Sequence, residues 1–453
     1  MKRVPVKKLT ITLLVVVTIA FAAANNITPS YLASAPGVAT GIGAKLLCSS
    51  RYVSGFSDSQ AFDDLVQYSP ILDYLSVSYD DEQRSVSTTF FGMAPATASY
   101  VDGIGCYVDY PGYEQRNTFS AFPMPVLTSH WPHGTRVETI NSSLQSSLDA
   151  MVREDNEAGL NTRALLVVHN GNIVAESYAQ GAGPDVPLLG WSMAKSLTAI
   201  MLGNLEYRGL LNTAEFPVFD AWADDERAAI SIEHLLTMTD GLDFSEQYNP
   251  GDDATSMLFT EPSASGYAMD RPLRSTPGNQ FNYSSGTANL LARLYYERTG
   301  GTLASSMDDY RRQIAVPLSF QHAVFEPDAS GVLVGSSYLY ASARDWARIG
   351  QMMLDRGVLN GKRIVNEDWV ERSVTPNRSR NNRAYGYQWW LNQGNAELRW
   401  PDVPVDAYAA QGNRQQSLTV IPSEETVVVR LGWTSGGYPI NDRIARILGW
   451  FSE

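Results

Sequence analysis

Lysine is nearly missing from this chain of 453 residues. Only six occur (Lys2, Lys7, Lys8, Lys45, Lys195 and Lys362), so most of the 34 basic side chains are arginines. Arginine cannot release its proton inside a protein, whereas a desolvated lysine can. A lysine kept in an arginine-using chain is therefore a candidate for proton chemistry. Lys362, in the turn-like Asn360-Gly361-Lys362-Arg363, reads as a surface residue. Positive charge is also in deficit: 34 basic against 48 acidic side chains leave a net charge of −14. Such a body repels phosphate backbones, which excludes a nucleic-acid partner. Internal repeats and low-complexity tracts are missing too. With 44% hydrophobic and 18% charged residues, the composition excludes a disordered or collagen-like chain and supplies ample material for a core.

Long apolar runs are confined to residues 9–24, preceded by Lys2, Arg3, Lys7 and Lys8 and closed by Ala22-Ala23-Ala24. Residues 1–24 therefore read as a secretory signal or, alternatively, an N-terminal membrane anchor, although the run falls short of the ~20 residues a spanning helix needs. In either case the flanking charges put the body outside the cytoplasm, periplasmic or extracellular. In that oxidising setting Cys48 and Cys106, the only cysteines, are expected to pair as a disulfide, with two buried thiols as the alternative. Leu46-Leu47-Cys48 resembles a lipoprotein box, but it lies too far beyond the apolar run to serve as one.

Residues 25–135 are rich in Ser, Ala, Gly and Tyr and read as an N-terminal extension packing on a main domain, residues 136–453. Signals sharpen from about residue 140. Residues 142–153 have helical spacing, and the runs 164–168 and 173–178 flank Asn170-Gly171, a strong hairpin signal. Residues 192–205 are helical by composition. A second hairpin is expected from 417–421 and 426–431, and an amphipathic helix from 440–451. Strands at both ends of a helical middle imply an α/β fold: a mostly antiparallel sheet flanked by helices, plus a helical region.

Ser192-Met193-Ala194-Lys195 is the central chemical feature. Positions i and i+3 share one helix face, and a neutral lysine there can take the proton of a serine nucleophile if burial lowers its pKa. Pro277-Gly278-Asn279-Gln280-Phe281-Asn282-Tyr283-Ser284-Ser285 leads into a helix at 287–298, and a phenolate at Tyr283 beside a lysine ammonium can share general-base duty. Gly412-Asn413-Arg414-Gln415-Gln416 precedes the strand at 417–421. Backbone amides of Ser192 and Asn413 are the expected oxyanion donors.

These residues resemble the serine β-lactamase and penicillin-recognising superfamily, in particular its class C-related hydrolases and 6-aminohexanoate-dimer hydrolases. Further matching segments are Glu233-His234-Leu235-Leu236-Thr237-Met238-Thr239-Asp240-Gly241-Leu242, Ala341-Ser342-Ala343-Arg344-Asp345 and Asn360-Gly361-Lys362-Arg363-Ile364. The resemblance spans about 140–450. It implies a Ser192 nucleophile with Lys195 and Tyr283 as bases, an acyl-enzyme, a small ester or amide substrate and no cofactor. Trp191, Gly412 and Gln416 are candidate substrate contacts, as are Tyr248, Tyr267 and Asp270 in the unpatterned stretch 244–271.

The chain departs from the superfamily in three places. Ser285 stands where many relatives carry Asn. The Lys-Thr-Gly that opens the late strand of β-lactamases is missing, and with it the usual anchor for a β-lactam carboxylate. In the Gly-x-x-Gly-Gln pattern that fits better, Gln415 replaces a glycine. Trp433-Thr434-Ser435-Gly436-Gly437 imitates the missing motif but follows the last strand, at the cleft rim.

Rival readings are weaker. A Ser-His-Asp hydrolase would draw on His234 or His322, yet Gly190-Trp191-Ser192-Met193-Ala194 lacks the final glycine of a nucleophile elbow, and His234 reads as core or capping. His130-Trp131-Pro132-His133 has ligand-like spacing, but Pro132 breaks any helix and no third ligand is evident, so no metal is expected. A non-catalytic or weakly active penicillin-binding-like protein is the alternative from another functional class.

Overall fold

The computed structural model describes residues 28–113, 124–138, 141–179 and 181–451. The apolar run 9–24 lies outside the described residues. Among the described residues no helix is long and apolar enough to cross a membrane. That finding corrects the expectation of a transmembrane segment, which rested on a run shorter than a bilayer requires.

The N-terminal stretch, without a readable pattern in sequence, is well structured. Helix α1 (Pro29–Tyr52) starts at Thr28, whose hydroxyl accepts the Tyr31 amide at 3.0 Å, with proline in the first turn. A meander follows, β1 (Leu75–Asp80), β2 (Ser85–Phe90), β3 (Met93–Val101) and β4 (Gly105–Val108), antiparallel throughout and in that order. Helix α1 lies across this sheet, and a disulfide joins Cys48 on α1 to Cys106 on β4.

A buried ion pair locks the extension to the body. Glu326 accepts hydrogen bonds from Lys45, from the Ser49 hydroxyl at 2.8 Å and from the Cys106 amide at 2.7 Å. The Lys45 ammonium sits 4.1 Å from the Tyr338 ring centroid. Burial pulls both partners toward their neutral forms, and their mutual attraction opposes it.

The body is organised on one six-stranded antiparallel sheet. In chain order its parts are helix α2 (Ser142–Glu157), strands β5 (Thr162–His169) and β6 (Asn172–Tyr178), helices α3 (Ala194–Tyr207), α4 (Ser285–Arg298) and α5 (Ala343–Leu354), strands β7 (Trp390–Leu391), β8 (Tyr408–Gly412), β9 (Gln416–Ile421) and β10 (Thr426–Gly432), and helix α6 (Ile440–Gly449). The strand order is β7-β8-β9-β10-β5-β6. Asn170 and Gly171, both at positive φ (49° and 73°), turn the β5–β6 hairpin. Alternation along β5 serves two cores. Leu165 and Val167 pack under α2 and α6 with Met151 and Ile447, whereas Leu166 and Val168 face α5 with Ile349 and Met352. The helical region carrying α3 and α4 packs on the second of these faces.

Segment 130–136 is strapped to α5. Arg348 donates to the carbonyls of Pro132 (2.9 Å) and Gly134 (2.5 Å). Among the described residues no cluster of His, Cys, Asp and Glu could hold a metal ion.

Candidate active site

The nucleophile candidate sits on a single tight turn, Trp191–Met193, that feeds α3. Helix α3 is buried over nearly its whole length, its polar Ser196, Thr198 and Asn204 included. Lys195, in its first turn, is therefore carried away from solvent by the helix itself. Its Nζ donates to Ser192 Oγ at 2.9 Å, Ser285 Oγ at 3.0 Å and the Ser336 carbonyl at 3.1 Å. Burial lowers the amine from its ordinary 10.5 to about 8, against the opposing pull of the Glu246 carboxylate.

Tyr283 comes from the segment entering α4. Lys195 Nζ lies 4.9 Å from its ring centroid, and Ser192 is among the groups that act on its hydroxyl. Burial and the nearby Glu246 push this phenol above its usual range. At neutral pH it holds its proton. Trp390 stacks on it at 5.0 Å.

The strand facing the nucleophile approaches at close range. A Cβ at Gly412 would lie 2.1 Å from the Gly190 carbonyl oxygen, so only glycine lets β8 come this near the serine turn. The chain then reverses through Arg414 (φ 59°) and Gln415 (φ 66°). Gln415 thus has left-handed backbone at the place where the Gly-x-x-Gly-Gln pattern has glycine. Two contacts hold it there: its amide donates to the Gly436 carbonyl at 2.6 Å, and Arg430 donates to the carbonyls of Arg414 (3.1 Å) and Gln415 (3.0 Å). Gly436 belongs to the Trp433–Gly437 stretch, which packs on this turn rather than opening a strand.

A cleft of about 310 Å³ opens over the serine, lined among others by Ser192, Glu246, Tyr248, Tyr283, Trp390 and Asn413. Gly412 and Gln416 line it too, although the Gln416 side chain is held by Gly432 on β10, donating at 2.5 Å and accepting at 2.9 Å. Trp191 is buried behind the turn, stacked at 5.9 Å on Tyr68 of the N-terminal extension. Its left-handed backbone (φ 48°) directly precedes Ser192. Tyr267 and Asp270 do not line the cleft. Tyr267 donates to Asp253 at 2.6 Å, and Asp270 is exposed elsewhere. Neither His234 nor His322 reaches the cleft: His234 closes a capping box with Ser231, and His322 sits 3.1 Å from Asp185.

Glu246 escaped sequence reasoning. It accepts from the Ser285 amide and hydroxyl, both at 2.6 Å, and from the Tyr248 hydroxyl at 3.0 Å. Tyr68 escaped it as well; from a helix far away in sequence it stacks on Trp191 and lies under the Arg414 guanidinium, 4.8 Å from its ring centroid.

Known proteins resemble this chain in sequence and in fold. The sequence profile of the beta-lactamase family matches residues 148–447. A 6-aminohexanoate-dimer hydrolase of Paenarthrobacter ureafaciens is 28% identical over 298 residues, covering 60% of this chain and 72% of the relative. Among solved structures, a class C beta-lactamase superposes with a TM-score of 0.51 at 12% identity, covering 69% of this chain and 96% of its own. The octameric penicillin-binding protein homologue from Pyrococcus abyssi gives 0.51 at 17% identity, covering 68% and 77%. At these identities the two structures speak for the fold alone.

Proposed function

The chain belongs to the beta-lactamase family of hydrolases, and from that premise we propose that it is an exported serine hydrolase cleaving a small ester or amide through an acyl-enzyme. The observation that carries this reading is the 2.9 Å contact between Lys195 Nζ and Ser192 Oγ in a site where burial lowers the amine to about 8. A measurable fraction of the lysine is then neutral at physiological pH and can accept the serine proton.

In the proposed sequence Ser192 attacks the substrate carbonyl while Lys195 takes its proton. The Ser192 and Asn413 amides hold the developing oxyanion. The proton passes from Lys195, by way of Tyr283, to the departing alcohol or amine. Water then enters, and the same groups run in reverse to release the acid from Ser192. No cofactor takes part. Among the residues lining the cleft none is Lys, Arg or His, which favours an uncharged or cationic acyl group over the carboxylate of a β-lactam. The Cys48–Cys106 disulfide supports residence in an oxidising compartment.

A fluorophosphonate probe tests the nucleophile, and a panel of p-nitrophenyl esters, aminohexanoate oligomers and nitrocefin tests the substrate class. Labelling is expected at Ser192 and lost in Ser192→Ala and Lys195→Ala. A folded wild-type protein that takes no label would favour a non-catalytic, penicillin-binding-like role.

A further inference from the structure

Ser285 donates both its amide and its hydroxyl to Glu246, one to each carboxylate oxygen. We propose that Glu246 is a positioning residue: it fixes the Ser285 hydroxyl as an acceptor toward Lys195, and so leaves the lysine lone pair free for Ser192. The inference rests on the Ser192–Lys195 reading above.

The argument is a count of donors. Glu246 Oε2 accepts the Ser285 amide at 2.6 Å, and Oε1 accepts the Ser285 hydroxyl at 2.6 Å and the Tyr248 hydroxyl at 3.0 Å. A serine hydroxyl has one proton. With that proton on Glu246, Ser285 Oγ faces Lys195 Nζ, 3.0 Å away, only with lone pairs. The Ser336 carbonyl, 3.1 Å from Nζ, is likewise only an acceptor. When Lys195 is neutral, its two N–H bonds are drawn to Ser285 and Ser336, and its lone pair points at the remaining neighbour, Ser192 Oγ. An asparagine carbonyl at 285 would accept without help. Serine can donate or accept, and Glu246 removes that ambiguity.

Glu246→Gln reverses the polarity at constant shape. The glutamine oxygen must face the Ser285 amide, so its NH2 group faces Ser285 Oγ. The serine proton then turns toward the Lys195 lone pair and competes with Ser192.

The titratable groups facing Lys195 are Glu246 from the 244–271 segment and Tyr283 from the entry to α4, with Tyr248 and Tyr385 behind them. Glu246 raises the Lys195 pKa, so neutralising it moves the acid limb to lower pH. A purely electrostatic role would therefore speed the reaction below pH 8, whereas a positioning role slows it at every pH.

The measurement is the second-order rate of fluorophosphonate labelling of Ser192 between pH 6 and 9, together with p-nitrophenyl butyrate hydrolysis. Glu246→Gln is expected to lower both by ~10-fold or more, with the acid limb displaced downward. Ser285→Asn in the Glu246→Gln background is expected to restore the rate to within ~3-fold of Ser285→Asn alone, a coupling that general loosening of the fold does not produce. If Glu246→Gln labels at the wild-type rate, or if asparagine fails to rescue it, the inference falls while the serine hydrolase reading stands. If wild type is not labelled at all, the underlying reading falls. Should Glu246→Gln alone fail to fold, the double variant against Ser285→Asn and Ser285→Ala decides: Ser285→Ala is expected to be slow, and equal rates in all three would refute the acceptor role.

Discussion

Replacing Lys195 by methionine keeps an unbranched side chain, one atom shorter, and removes its charge. Burial carries the amine from 10.5 down to about 8. At 1.36 kcal/mol per unit, holding the ammonium in the folded protein costs ~3 kcal/mol wherever both folded and unfolded states are protonated. The folded-state pKa is depressed, so between about pH 8 and 10.5 the unfolded chain binds more protons, and wild-type stability rises with pH across that window. Methionine has no such dependence. The difference in unfolding free energy between wild type and Lys195→Met is therefore expected to shift toward wild type by roughly 2 to 3 kcal/mol between pH 7 and pH 10. Tyrosines ionising in the unfolded chain near pH 10 affect both proteins alike and drop out of the difference. Urea titrations followed by tryptophan fluorescence at the two pH values measure it. Parallel pH dependence in the two proteins would mean that the amine is not desolvated, and the argument for its basicity would fail.

Three further outcomes are expected. The kcat/KM for p-nitrophenyl butyrate should fall about tenfold per unit below a limb near pH 8, set by the lowered amine; a flat profile from pH 6 to 9 would exclude Lys195 as base. Gly412→Ala places a methyl 2.1 Å from the Gly190 carbonyl oxygen and forces β8 away from the nucleophile turn. Turnover should drop ~100-fold or more while far-UV circular dichroism stays native, since an ångström of displacement suffices for such a loss. Reducing the Cys48–Cys106 bond opens a loop of sequence separation 58, worth about 4 kcal/mol in the loop-entropy account, so the melting temperature should fall in dithiothreitol.

Local signals carried the body of the fold into view. The Asn170-Gly171 turn, the second hairpin and the helix after Ser192 are properties of short windows, and each forms where its pattern lies. Ser192 and Lys195 meet because one helix turn brings them together, so their contact could be foreseen. The N-terminal sheet could not. β1 does alternate (Leu75, Val77 and Tyr79 against Ser76, Ser78 and Asp80), but β2 and β3 are diluted with Ser, Thr and Ala and are mostly half-buried, so the signal fades after six residues. Glu246 and Tyr68 were hidden for another reason: each acts across a tertiary contact, and nothing near them in the chain announces a partner. Tyr267 and Asp270 show the converse. Their composition suited a substrate loop, but the Tyr267 hydrogen bond to Asp253 and the exposure of Asp270 to solvent turn them elsewhere.

The Lys45–Glu326 pair has a consequence for how this chain can be divided. Cutting it at the border of the family-matched region, residues 148–447, would strip the ammonium, the Ser49 hydroxyl and the Cys106 amide from the buried Glu326 together. Residues 148–447 expressed alone would therefore carry a buried acid with none of the three donors that residues 45–106 bring to it.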